Sequence, residues 1–127
     1  MYKSITPNLM VDNVEETLKF YEQLGFVVNA TVPADNGGLQ FAIVSIFNLT
    51  LMFQERESLI KEYPVLSTKK TQPSITLYII VDDVQKYYDD MKNKYNLQAE
   101  LHKTFYGANE FAIKDNNGYV LTFTEQY

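Results

Sequence analysis

The chain has 127 residues, 46% hydrophobic and 21% charged, which fits one globular domain able to bury its own core. Its net charge of −5 argues against nucleic acid, which needs clustered Lys and Arg, and permits a cationic ligand. With no cysteine there are no disulfides, thiolate nucleophiles or thiolate metal ligands. No apolar run reaches the roughly 20 residues of a membrane span, and the first residues run straight into a strand pattern, so the expected location is cytoplasmic, with no membrane partner.

Ile5, Leu9 and Val11 are apolar and share one parity, which predicts a strand with one face on a core. Pro7 lacks an N–H and marks an edge or irregular stretch there. Asp12 or Asn13 then caps a helix whose apolar stripe is Val14, Leu18 and Tyr21, closed by Leu24. Gly25 suits the left-handed residue beyond its end. Strands are predicted over 26–32, 40–46 and 49–53, with a loop at 33–38 and a turn at Phe47-Asn48. A short helix around Leu59-Ile60 precedes Pro64, and 67–73 reads as a polar linker. Ile75, Leu77, Ile79 and Val81 form the core face of a further strand. Asp83 caps a helix with Val84, Tyr87, Tyr88, Met91 and Tyr95 on one stripe. A strand at 97–101 and a loop at 102–109 follow. Residues 110–114 and 119–124 form a hairpin around Asp115-Asn116-Asn117-Gly118.

The second half repeats the first. Ser4-Ile5-Thr6 recurs as Ser74-Ile75-Thr76, Val11-Asp12 as Val81-Asp82 and Val14 as Val84. The same offset links Gly37 with Gly107, Phe41-Ala42-Ile43 with Phe111-Ala112-Ile113, Leu51 with Leu121, Phe53 with Phe123 and Glu55 with Glu125. A constant offset without slippage implies two copies of one strand-helix-strand-strand-strand module. Module one is 1–55, a linker spans 56–73, and module two is 74–127, together one domain of the α+β class.

Leu9-Met10-Val11-Asp12-Asn13-Val14-Glu15-Glu16-Thr17-Leu18-Lys19-Phe20-Tyr21, closing on Leu24-Gly25-Phe26, resembles the first strand and helix of the glyoxalase, bleomycin-resistance and extradiol-dioxygenase superfamily, the vicinal oxygen chelate fold. Tyr106-Gly107 through Glu110-Phe111 to Asp115-Asn116-Asn117-Gly118 resembles that family's last hairpin, with Asn116 in place of the usual Pro. The resemblance implies two βαβββ modules whose curved sheets face each other across a cleft with helices outside. It also implies a homodimer.

Enzymes of that family hold a divalent metal with four side chains on the concave sheet face. The matching positions here are Thr6, Met52, Thr76 and Thr122, and the repeat pairs 6 with 76 and 52 with 122. None carries a carboxylate or imidazole, and hydroxyls with one thioether are poor ligands for such metals. No metal and no cofactor are therefore expected; a displaced site would have only His102 and Glu110 to draw on. One histidine and no cysteine leave little for a nucleophile triad, and there is no Gly-rich phosphate loop.

Concave-face parity offers Asn8, Gln40, Met52, Tyr78, Glu110 and Thr122 as ligand-binding residues, and the loop before the last hairpin adds Phe105 and Tyr106. Such a lining suits a small organic ligand. Tyr78 and Tyr106 can stack on a flat ring and Glu110 can pair with a cation. The expected function is metal-free binding of a small molecule, as in sequestration of a cationic or aromatic compound. The alternatives are a glyoxalase-type lyase or isomerase with a non-standard site, and a dimeric scaffold without ligand.

Overall fold

The computed structural model describes residues 1–126. The chain forms two compact units, Met1–Gln72 and a second beginning at Pro73. The first unit contains β1 (Asn8–Val11), α1 (Val14–Gln23), β2 (Val27–Pro33), β3 (Leu39–Ile46), β4 (Leu49–Glu55), α2 (Arg56–Glu62) and a 3-10 turn at Pro64–Leu66. The second contains β5 (Thr76–Ile80), α3 (Val84–Met91), β6 (Asn96–Lys103), β7 (Asn109–Lys114) and β8 (Val120–Glu125). Each unit holds one mixed four-stranded sheet, in the order β1-β4-β3-β2 and β5-β8-β7-β6. In both, the first strand pairs in parallel with the last and the other pairs are antiparallel. These are two tandem βαβββ modules of an α+β fold. Among the described residues no helix is long and apolar enough to cross a membrane.

Each helix starts where a side chain replaces its missing hydrogen-bond partners. The Asn13 side chain accepts from the Glu16 N–H at 2.8 Å, and Asp83 accepts from the Lys86 N–H at 3.2 Å. Helix α1 then buries Val14, Thr17, Leu18 and Tyr21 against its sheet. The Tyr21 ring lies 4.8 Å from that of Phe53. Gly25 ends the helix at φ 101°, a left-handed conformation that side chains avoid. In the second unit the Phe111 and Phe123 rings stack at 5.1 Å on the helix side of the sheet. Tyr88 meets Phe111 and Tyr87 meets Phe123. Of the predicted α3 stripe only Val84 is fully buried; Tyr87 and Tyr88 lay their rings on the sheet and stay partly exposed.

Three expectations change. Ile5 precedes β1 and is 95% exposed, so it is no core residue; β1 starts only after Pro7. Ile75 is likewise exposed and precedes β5. Most of the segment expected as linker is built onto the first unit. Helix α2 continues directly from β4, with the Glu55 carboxylate capping the Glu57 and Ser58 N–H groups. Further on, the Thr71 hydroxyl donates to Asp12 at 2.6 Å.

The repeat also slips by one residue in one strand. The β2–β3 and β6–β7 turns match at the sequence offset: Ala34 N–H to Gly38 O and Thr104 N–H to Ala108 O are equivalent bonds. After the first turn the register runs Pro33↔Leu39 and then Val32↔Phe41, leaving Gln40 unpaired. After the second it runs Lys103↔Asn109 and His102↔Glu110 with nothing skipped. The bulge at Gln40 moves every later residue of β3 one step, which exchanges the faces of its side chains. Ala42 therefore opposes Phe53, whereas Phe111 opposes Phe123.

Phe53 is fully buried, and Phe47, at the β3–β4 turn, is 98% exposed. Phe53→Ala is expected to lower the unfolding free energy by about 3–5 kcal/mol in urea titrations. Phe47→Ala should change it by less than about 0.5 kcal/mol.

Candidate functional site

Glu110 is the second residue of β7 and is 7% exposed. Alternation along β7 and β8 sets it opposite Thr124, on the sheet face away from the Phe111–Phe123 stack. Strand β8 separates β7 from β5, so a group on β5 must span two inter-strand steps, roughly 10 Å, to reach Glu110. Tyr78 is long enough to do this above the small, fully buried Thr124. Its hydroxyl donates to Glu110 Oε2 at 2.7 Å and lies 3.3 Å from Thr124 Oγ1. One hydroxyl proton cannot serve both, and the nearer, charged oxygen holds it. The Tyr78 oxygen in turn accepts from Gln126 Nε2 at 3.0 Å.

A second tyrosine reaches the same carboxylate oxygen. Tyr106 sits in the tight turn between β6 and β7, closed by the Gly107 N–H to Thr104 O bond at 3.1 Å. Gly107 takes φ 88°, which a side chain there would resist. The Thr104 hydroxyl accepts from the Ala108 N–H at 3.0 Å and braces the turn. From this position the Tyr106 hydroxyl donates to Glu110 Oε2. Its half-exposed ring meets the fully exposed ring of Phe105 edge-on at 4.9 Å. A pocket of about 290 Å³ opens beside it, lined by Tyr106, Gly107, Ala108 and Gln126.

Glu110 makes no ion pair among the described residues. Burial pushes its pKa up. Hydrogen bonds from Tyr106, Tyr78 and Thr124, with the nearby His102, pull it down and prevail, so it stays below the ordinary Glu value. Donating to Glu110 raises the Tyr106 pKa above the usual value, with smaller contributions from Tyr78 and burial.

The structure thus brings together Tyr78, Tyr106 and Glu110 of the expected ligand-binding residues, with Phe105 at the rim. Thr122 lies one step along, opposite Tyr78 in register, and its hydroxyl is 3.4 Å from that of Thr76. Asn8, Gln40 and Met52 belong to the first unit. Asn8 Nδ2 donates to Gln54 Oε1, Gln54 Nε2 to Ser58 Oγ, and Ser58 Oγ to Gln40 Oε1, each at 2.9 Å. These bonds run between neutral groups, and helix α2 supplies Ser58. Gln40 is the bulged residue, so it is not the counterpart of Glu110 that the repeat assigned; Phe41 holds that place, opposite Gln54. Met52 is half-buried beside Asn8.

Sequence reasoning missed Gln54, Ser58 and Gln126 in these networks. Gln54 shares the parity of Met52 and is the repeat partner of Thr124, so the repeat carried a signal for it. Ser58 and Gln126 lie outside the repeated strands and carried none.

The four places that the family resemblance gives to metal ligands hold three hydroxyls and a thioether, a set that does not fit a divalent metal. Among the described residues no three His, Cys, Asp or Glu side chains converge as a metal site. His102 opposes Glu110 across the β6–β7 pair, with its Nδ1 2.7 Å from Glu100 O.

The family model described as "Glyoxalase/Bleomycin resistance protein/Dioxygenase superfamily" matches residues 4–123. Among solved structures, TioX from Micromonospora sp. ML1 is similar with a TM-score of 0.77 and 15% identity, over 99% of this chain and 100% of that one. A hypothetical protein from S. aureus gives 0.79 and 19%, over 99% and 95%. A glyoxalase/bleomycin resistance protein/dioxygenase from Nocardioides gives 0.80 and 13%, over 98% and 84%. At these identities the likeness shows the fold alone. A comparison with curated proteins finds no match.

Because the folded Glu110 pKa lies below the unfolded one, its carboxylate adds stability above the ordinary Glu range near 4.3, and the contribution is lost as pH falls through the folded midpoint. The stability advantage of wild type over Glu110→Gln should therefore shrink across that window. Carbon-13 titration should place the Glu110 midpoint below that of an exposed Glu, and Tyr106→Phe should raise it. An ordinary Glu110 midpoint contradicts this geometry.

Proposed function

Because the chain belongs to the glyoxalase/bleomycin resistance protein/dioxygenase superfamily but lacks metal-binding side chains at Thr6, Met52, Thr76 and Thr122, we propose that it is a metal-free small-molecule binding protein. One observation carries this reading: a buried carboxylate held by two neutral tyrosine hydroxyls, with no ion pair among the described residues, and a pocket lined by one of those tyrosines. Removing a carboxylate from water is costly, and neutral donors offset that cost less well than a cation does. A ligand that brings an ammonium or guanidinium group supplies the missing charge. The Tyr78, Phe105 and Tyr106 rings offer apolar and π surface to a flat body attached to that group. Binding breaks no bond, which suits sequestration of a cationic or aromatic compound.

The lyase or isomerase reading has less support. A general base works best with a pKa near the operating pH, and the hydrogen bonds to Glu110 move it the other way. The proposal includes a homodimer, as the family resemblance implies, and a cytoplasmic location, with which the cysteine-free composition agrees.

Calorimetric titration of Glu110→Gln with a planar arylammonium compound should show a loss of about tenfold or more against wild type, as expected for a hydrogen bond to a charged group. A neutral compound of the same shape should bind both proteins within about twofold. Equal losses for the two compounds would remove Glu110 as the anchor. Light scattering at micromolar concentration should report about twice the chain mass of 14.7 kDa, and a value of one chain mass would remove the dimer.

A further inference from the structure

We propose that Tyr106 is a displaceable cap on Glu110 and so the residue that sets ligand specificity: an incoming ammonium or guanidinium group replaces the Tyr106 hydroxyl on the carboxylate, and a neutral ligand does not. This rests on the reading of Glu110 as the ligand anchor.

The two tyrosines share one oxygen, Glu110 Oε2, but are held very differently. Tyr78 is in the middle of β5, paired to β8 through Thr122, and its hydroxyl is also engaged by Gln126 and lies beside Thr124. Tyr106 belongs to no strand. It hangs from a four-residue turn, and its ring packs against Phe105, itself fully exposed. Turning the Tyr78 side chain away breaks its contacts with Gln126 and Thr124 as well as that with Glu110, whereas turning the Tyr106 side chain away breaks its bond to Glu110 and a ring contact with exposed Phe105. The 290 Å³ pocket is lined by Tyr106 and Gln126 but not by Glu110, so a group entering it meets Tyr106 before the carboxylate.

Chemistry favours the exchange for one ligand class. The Tyr106 bond is already assisted by the carboxylate charge, but an ammonium or guanidinium group brings a full opposite charge to the same hydrogen bond and so replaces the O–H at a gain. A ligand hydroxyl or amide merely trades like for like and must also open the cap. In the free protein the cap keeps Glu110 bonded and dry; in the complex the cation takes over that role.

Phenolic hydroxyl protons bonded to a carboxylate can be followed by proton NMR, with the Tyr78 and Tyr106 signals assigned through Tyr78→Phe and Tyr106→Phe. In the free wild type the Tyr106 hydroxyl should exchange with water at least about tenfold faster than that of Tyr78, as expected of a turn side chain against one fixed in a sheet. Saturating benzylammonium should abolish the Tyr106 signal and leave that of Tyr78. Tyr106→Phe should bind benzylammonium about tenfold more tightly than wild type, having lost one competing hydrogen bond, and benzyl alcohol should leave the Tyr106 signal of wild type in place. Equal or weaker binding of benzylammonium by Tyr106→Phe, or a Tyr106 signal that survives saturation, overturns the cap. If Glu110→Gln binds benzylammonium as well as wild type does, the anchor reading itself fails. If neither wild type nor Tyr106→Phe binds the probe, the exchange rates decide: faster exchange at Tyr106 supports the cap and equal rates overturn it.

Discussion

A buried carboxylate with no ion pair among the described residues constrains everything around it. Hydroxyl donors, with His102 nearby, hold Glu110 in its ionised form against burial, and those donors come from three separate elements: β5, the β6–β7 turn and β8. Each must be positioned to within a hydrogen-bond length. The parallel β5–β8 pairing sets Tyr78 over Thr124, the Gly107 turn sets Tyr106, and the unbroken β6–β7 register near this turn keeps Glu110 on the face away from α3. The helix side of the same sheet, with Phe111 and Phe123 under Tyr87 and Tyr88, holds these strands in place.

The two modules show what one fold does with this constraint and without it. Asn8 matches Tyr78, and Gln54 matches Thr124, in the same register. Yet the first module builds a chain of side-chain amides at this point, to which α2 adds Ser58 and, at 3.4 Å from Gln54 Nε2, the Glu62 carboxylate. The bulge at Gln40 removes any counterpart of Glu110 by turning Phe41 toward that place. One bulged backbone residue therefore separates a network of amides on the first sheet from a buried carboxylate on the second that makes no ion pair among the described residues. This asymmetry is why a ligand anchor is assigned to the second module.

Most of the fold was legible because period-two and helical patterns recur at one offset, and because Asn13, Asp83, Gly25 and the Asn-Gly turn are local signals. Tyr78, Tyr106 and Glu110 were legible as candidates from strand parity and from the loop before the last hairpin. Their mutual hydrogen bonds were not, since the reach of Tyr78 across β8 depends on strand order. The bulge was hidden by the repeat itself: Phe41-Ala42-Ile43 and Phe111-Ala112-Ile113 match in sequence, but pairing is set by backbone hydrogen bonds that the letters do not record. Ile5 misled because its parity matched Leu9 and Val11 across Pro7, where pairing had not yet begun.

The proposed function requires binding of a small organic cation at the Glu110 carboxylate without a metal. A thermal melt of the purified protein tests it most directly, run with Ni²⁺, Zn²⁺ and Mn²⁺ against an EDTA control, and with planar arylammonium compounds. A ligand specific for the folded state adds about 2.7 kcal/mol at a hundredfold excess over Kd, enough to move the midpoint by a few degrees. Such a shift is expected with the organic cations and none with the metals. A metal-induced shift abolished by EDTA, with no response to the organic cations, would contradict the proposed function.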